Sequence, residues 1–248
     1  MINKYSDLSE RDKQVTLIER MDAAKTAIEN MSAGGLIGYS IDENGKASKG
    51  DVNFKLPSNF KDLDNYAFYH ALDNSSSITS ADLSSLTKIS GSSGASYMFG
   101  ACHNLTSVDL SSLTEISGSS GAYYIFSECY SLTSADLSSL TEISGSNGAA
   151  YMFKNCSSLT SVDLSSLTKI SVNNAVKSMF QGCTSLKELR FPALTADSFG
   201  SITNQFSGLL ISVTGCTLHF PAATQAKIET LTGYPNFGGT NTTVLFDL

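Results

Sequence analysis

The chain has 248 residues, of which 41% are hydrophobic and only 16% charged, and its net charge is −7. An acidic chain without a basic patch argues against a nucleic-acid or anionic-membrane footprint. The longest apolar run falls far short of a bilayer span, which argues against insertion into a membrane as a helix.

The opening residues Met1–Asp7 lead into a charged stretch without the apolar core of a secretory leader. Residues 7–31 are predicted to form a helix. Asp7 or Ser9 caps it, Val15, Ile18, Met21, Ala24, Ile28 and Met31 recur near helical spacing, and Gly34-Gly35 ends it. We read residues 1–49 as this helix and a connector, with a turn at Asp42-Glu43-Asn44-Gly45. Residues 50–70 read as a degenerate capping coil with a short strand at Val52-Asn53-Phe54. The sequence Phe54-Lys55-Leu56-Pro57 resembles Phe191-Pro192 and its neighbours near the other end.

Residues 71–191 carry a strict repeat of 27 residues. Phe99, Phe126, Phe153 and Phe180 each follow Met or Ile, and each precedes a cysteine by three positions. A period of this size marks a solenoid, in which every unit covers its apolar face by stacking on the next. Units begin at 71, 98, 125, 152 and 179, about five regular coils, and the fifth departs at Pro192. Within a unit, Leu105-x-x-Val108-x-Leu110 matches the strand segment of a leucine-rich repeat. Two-residue alternation then turns Leu105, Val108 and Leu110 inward and Ser107, Asp109 and Ser111 outward. One strand per unit is expected, centred on Val108, Ala135 and Val162. Leu113 and Ile116 return to the core, Gly118–Gly121 supplies a turn, and Ala122–Cys129 is expected to cross the far side as a short helix. Residues 192–248 read as a C-terminal degenerate repeat and cap, with strands near Thr217–Phe220 and Thr243–Phe246 and a short helix around 222–231.

The spaced pattern Met98-Phe99-x-x-Cys102-x-x-Leu105-Thr106-x-x-Asp109-Leu110-Ser111, repeated at 152–165, resembles the BspA-type leucine-rich repeat of bacterial surface proteins. The resemblance implies an α/β leucine-rich-repeat solenoid with a parallel sheet on one face, an N-terminal helix and a C-terminal cap. It further implies a non-enzymatic adhesion or host-interaction role at the cell surface or outside the cell. It brings no catalytic motif, cofactor or metal.

Stacking turns repeated positions into columns. Asp82, Asp109, Asp136 and Asp163 form an acidic column that ends at Arg190. Neighbouring carboxylates ~5 Å apart repel by ~1 kcal/mol in water. The column reads either as a solvated row compensated at one end by Arg190 or as a shallow cation site. The first is favoured, because no Asp-rich loop or glycine-containing calcium signature surrounds these residues. Lys88, Glu115, Glu142 and Lys169 form a second column whose outer pairs are of opposite charge. Tyr97, Tyr124 and Tyr151, with Tyr123 beside them, form a third, which serves as packing or as a ligand platform. Cys102, Cys129, Cys156 and Cys183 share one position. Their ~4.8 Å spacing misses the geometry of a disulfide, and a straight column cannot converge on zinc, so they read as buried thiols. The histidines are scattered, and no nucleophile–base constellation or phosphate loop is present.

The candidate site is therefore the Ser/Asp strand face, with Asp82, Asp109, Asp136, Asp163 and Arg190, and secondarily Tyr124 and Tyr151. The expected partner is a protein or a glycan. Two alternatives come from other classes: a structural or receptor-binding component of a phage or appendage-like assembly, and a hydrolase seated in the degenerate flanks.

Overall fold

The structure is a computed structural model that describes residues 52–56, 58 and 60–248. The helix expected over 7–31 and the turn at 42–45 lie outside the described residues. From Val52 onward the chain winds into a parallel β-solenoid, in which one sequence repeat makes one coil.

The capping coil and the first three regular coils each contribute two strands rather than the single one expected, and the fourth regular coil contributes one. In chain order these are β1 (Val52–Lys55), β2 (Asp62–Leu63), β3 (Ile78–Asp82), β4 (Lys88–Ile89), β5 (Ser107–Asp109), β6 (Glu115–Ile116), β7 (Ser134–Asp136), β8 (Glu142–Ile143) and β9 (Ser161–Asp163). The odd-numbered strands form one parallel sheet in the order β1-β3-β5-β7-β9, and the even-numbered strands form a second, β2-β4-β6-β8. Register is one unit per rung: Val108 pairs with Ala135 and Ala135 with Val162. The alternation read from the sequence holds, because Val108, Leu110, Leu137 and Leu164 are buried while Asp109, Asp136 and Asp163 are exposed.

The far side is not helical. Among the described residues, helix is confined to 3₁₀ turns at Ala196–Phe199 and Ala222–Thr224 and to α1 (Gln225–Ile228). Residues 93–101 and their equivalents instead alternate their donors. Ala95, Tyr97 and Phe99 donate N–H to Gly121, Tyr123 and Ile125 of the next coil, while Ser96, Met98 and Gly100 donate to the residue three back. An α-helix keeps all such bonds inside one segment; here half of them tie coil to coil and give the stack a third bonded side. The pattern needs a left-handed residue at every fourth position, supplied by Ser93, Tyr97 and Ala101, then Ser120, Tyr124 and Glu128, then Asn147, Tyr151 and Asn155. That conformation costs a non-glycine residue roughly 1–2 kcal/mol. The inter-coil bonds and the burial of the intervening Met, Ile and Phe side chains offset it.

Close approach of the coils explains the glycines at one corner. A Cβ on Gly118 would lie 1.9 Å from the carbonyl oxygen of Gly91, and one on Gly145 would lie 2.0 Å from that of Gly118. The column ends at Val172. There the hydrogen-bonded offset between coils grows from 26 residues (Ala149 to Ala175) to 29 (Val176 to Gln205), and the 3₁₀ turn Ala196–Phe199 takes up the extra chain. The remaining strands, β10 (Glu188–Arg190), β11 (Thr217–His219) and β12 (Thr243–Leu245), form a separate three-stranded parallel sheet.

Inside, Phe99, Phe126, Phe153 and Phe180 stack with centroids 5.6, 5.6 and 5.8 Å apart, all fully buried. Beside them the thiols of Cys102, Cys129, Cys156 and Cys183 donate to the carbonyls of Leu72, Phe99, Phe126 and Phe153 of the preceding coil, at 3.0–3.2 Å. A cysteine here is a small apolar residue with one donor, and the neighbouring rung supplies the acceptor.

The buried columns set two expectations. Phe153→Ala should destabilise the protein by ~3–5 kcal/mol, as large-to-small core changes do. Leu72→Ala, near the start of the array where fewer coils stack, should cost less; urea midpoints at unchanged slope compare the two. Burial lifts the Cys102 and Cys183 thiols to about 12. The native protein should therefore resist a bulky thiol reagent near neutral pH, with labelling that keeps pace with unfolding.

Candidate functional site

The strand face collects four of the predicted residues into one row. Asp82, Asp109, Asp136 and Asp163 pair in register along β3, β5, β7 and β9. Each carboxylate is held the same way: Oδ1 accepts the backbone N–H two residues on, from Ser84, Ser111, Ser138 and Ser165, at 3.0, 3.0, 2.9 and 2.8 Å. Aspartate at the end of each strand thus closes the turn beyond it. For Asp136 the hydroxyl and backbone of Ser138 hold the carboxyl below its ordinary value.

The row is compensated at the end opposite to the one expected. Lys55 of β1 is in register with Asp82, and its Nζ lies 2.6 Å from Oδ2. Burial pushes the Asp82 carboxyl upward, but the bonds from Lys55 and Ser84 outweigh it and leave the group below its usual range. Arg190 does not compensate the aspartates: it lies across the break between β9 and β10, and its Nε donates to Glu188 of its own strand. Sequence reasoning missed Lys55 because its coil lacks the repeat pattern.

Across that break lies a groove of about 810 Å³, bounded by Asp136 and Asp163 on one side and by Lys187, Glu188 and Arg190 on the other. Its origin is legible in one column. Thr106, Thr133 and Thr160 each bond through Oγ1 to the carbonyl one coil back, at Thr79, Thr106 and Thr133. Lys187 stands at the next position and reaches forward instead, to the Thr214 carbonyl at 3.2 Å.

The second sheet carries the charge order read from the sequence. Lys88 meets Glu115 at 2.9 Å and Lys169 meets Glu142 at 2.8 Å. Lys88 foremost, with Ser117, holds the Glu115 carboxyl down. These pairs are largely solvated, so each adds little to stability and serves mainly to fix register.

On the turn side, Tyr97, Tyr124 and Tyr151 form a continuous stack, and His70 extends it. Centroids are 4.4, 4.9 and 4.6 Å apart with planes within 12° of parallel. Tyr123 meets Tyr97, Tyr124 and Tyr151 edge-on, and Lys154 Nζ sits 5.3 Å from the Tyr124 centroid. Burial, then the neighbouring phenols, raise the Tyr97 and Tyr124 hydroxyls. Tyr97 and Tyr124 are stacked against a ring on both faces, and Tyr151, at the end of the stack, on one. His103 stacks on Tyr130, and the ring of His219 lies 2.8 Å from Asp247. Among the described residues no group of His, Cys, Asp or Glu is placed to hold a metal ion, and no helix is long and apolar enough to cross a membrane.

The Lys55–Asp82 pair yields a pH expectation. A carboxyl depressed on folding adds stability above its unfolded value, and that stability is lost as pH falls through the folded one. Lys55→Met should return the Asp82 titration toward that of a free aspartate, read by carboxyl NMR. The stability difference between variant and wild type should be present at neutral pH and vanish once Asp82 is protonated.

Comparison with known proteins completes the picture. The family model described as the BspA type leucine rich repeat region matches residues 48–144 and 93–208, in six copies. Among solved structures, a leucine-rich repeat protein of T. pallidum is 19% identical, with 83% of this chain and 95% of that one covered and a TM-score of 0.38. A leucine-rich repeat protein from Bacteroides ovatus is also 19% identical, covering 77% of this chain and 59% of its own, at a TM-score of 0.25. Curated proteins give no significant match. Both structural likenesses are distant, whereas the family match spans well over half of the sequence and runs through coils that each equal one repeat. The chain belongs to the BspA-type leucine-rich repeat family.

Proposed function

We propose that the chain is a non-enzymatic binding and adhesion protein, displayed on a bacterial surface, that holds a protein partner of basic character on its Asp/Ser strand face. The observation that carries this reading is the state of the aspartates. Each uses one oxygen on a serine N–H, so the carboxylate is fixed in orientation while the outer oxygen remains for a partner. Among the described residues no ion pair engages Asp109, Asp136 or Asp163, whereas Asp82 already has Lys55. A rigid row of charges one coil apart loses little entropy when it binds and steers oppositely charged partners. A repeat protein presents its recognition surface in this extended form.

The protein reading is preferred over a glycan one on geometry. Sugars pack on the flat faces of aromatic rings, and the faces of Tyr97 and Tyr124 are taken by neighbouring rings. The non-enzymatic reading draws support from the thiols, buried and shifted away from the thiolate that nucleophilic chemistry needs.

The test uses asparagine, because Asp109→Asn, Asp136→Asn and Asp163→Asn remove charge while keeping an oxygen for the serine N–H. A panel of immobilised extracellular proteins of graded isoelectric point, read by surface plasmon resonance, supplies the probe. The wild type should bind the basic members, more weakly as salt rises, and the triple variant should lose that binding with its thermal unfolding nearly unchanged. If the triple variant keeps its partners while Tyr124→Ser with Tyr151→Ser loses them, the site belongs to the turn side and the strand-face reading falls.

A further inference from the structure

The groove at the end of the acidic row differs from the rest of the strand face in carrying both signs of charge. Its charged lining residues are three carboxylates, Asp136, Asp163 and Glu188, and two cations, Lys187 and Arg190. The hydrogen-bonded ladder stops at β9 and resumes at β10, yet the two strands remain in contact. Intercalating another strand would require neighbours ~9–10 Å apart, twice the strand spacing. An occupant therefore lies over the break, not within the sheet.

We infer that this groove holds an extended polypeptide segment of the partner, laid along the solenoid axis, with a basic side chain between Asp136 and Asp163 and an acidic side chain two residues away against Arg190. The inference rests on the strand face being the binding surface. Three features of the groove support it. First, Asp136 and Asp163 are adjacent rungs whose inner oxygens are occupied by Ser138 and Ser165. Their outer oxygens form a two-pronged acceptor of the kind a guanidinium fills. Second, Arg190 is tied through Nε to Glu188, and Lys187 to the Thr214 carbonyl, so both cations are positioned while the remaining guanidinium N–H groups stay available for a carboxylate. Third, the spacing fits. Rungs in the regular row lie ~4.8 Å apart, β10 remains in contact with β9 across the break, and residues i and i+2 of an extended chain, facing the same way ~6.6–6.8 Å apart, reach from the aspartate pair towards the next coil.

Charge of the wrong sign is penalised at each end. A second basic residue would face Arg190, and a second acidic one would face the aspartates. Repulsion thus narrows the choice of segment as much as attraction does.

Three terminally blocked hexapeptides centred on Arg-Ser-Glu, Arg-Ser-Arg and Glu-Ser-Glu test the inference by fluorescence anisotropy with the full chain at low salt. Arg-Ser-Glu should bind tightest, by roughly tenfold over either control. Arg190→Glu should invert the order in favour of Arg-Ser-Arg, and the milder Arg190→Gln should bring those two level. The inference is overturned if Arg-Ser-Arg binds the wild type as well as Arg-Ser-Glu does, if Arg190→Glu leaves the order unchanged, or if no peptide binds. Preference for Arg-Ser-Arg together with its loss in Asp136→Asn would sink the mixed-charge groove while leaving the acidic strand face intact. Failure of the immobilised panel with Arg-Ser-Glu still bound would do the opposite.

Discussion

Everything in this molecule depends on a coil spacing set by backbone hydrogen bonds on all three sides. Two sides are β-ladders, and the third is the alternating turn in which every second N–H crosses to the next coil. Once that spacing is imposed, side chains at one repeat position have no freedom to choose their neighbour. The phenylalanines must meet face to face, the tyrosines likewise, and each cysteine must find the carbonyl one rung back. Charges in a column repel or attract at a fixed distance, so sign order along the array helps to fix its register. The corner glycines are the clearest expression of the constraint, because any Cβ there would collide with the backbone of the coil below.

The features with chemical potential appear where the period fails. Val172 replaces the corner glycine, the next coil lengthens by three residues, and the second sheet ends at β8. Lys187 replaces the column threonine, and the first sheet's ladder gives way to the groove. The regular coils present a uniform acidic row, whereas the irregular one adds the opposite charge beside it. A perfectly periodic chain would offer a surface without a distinguished position.

The first sheet, its register and the outward aspartates were legible because they need only two periods, two residues and 27, both written plainly in the sequence. The Lys88–Glu115 and Glu142–Lys169 pairs came from the same stacking. The far side misled for a physical reason: Ala122, Ile125, Phe126 and Cys129 are buried at spacings that an amphipathic helix would also produce. Burial pattern reports which residues face inward; it is silent on whether their N–H groups bond within the coil or to the next one. Lys55 and His70 were missed because each sits in a coil whose sequence has drifted from the repeat. Their roles, compensating Asp82 and extending the tyrosine stack, come from position in the column rather than from any motif.

The order of the charges on the second sheet bears on how such an array can grow. Whole units are interchangeable in their core, so an in-frame duplication of one of them leaves the buried columns intact. The Lys88, Glu115, Glu142, Lys169 row is less forgiving. Copying the unit that carries Glu115 would set three glutamates in succession, whereas copying the Lys88 and Glu115 units together would add no like-charged pair beyond the Glu115–Glu142 one already present. Lengthening in steps of two coils is then the easier path, and the surface charge, rather than the interior, acts as the editor of repeat number.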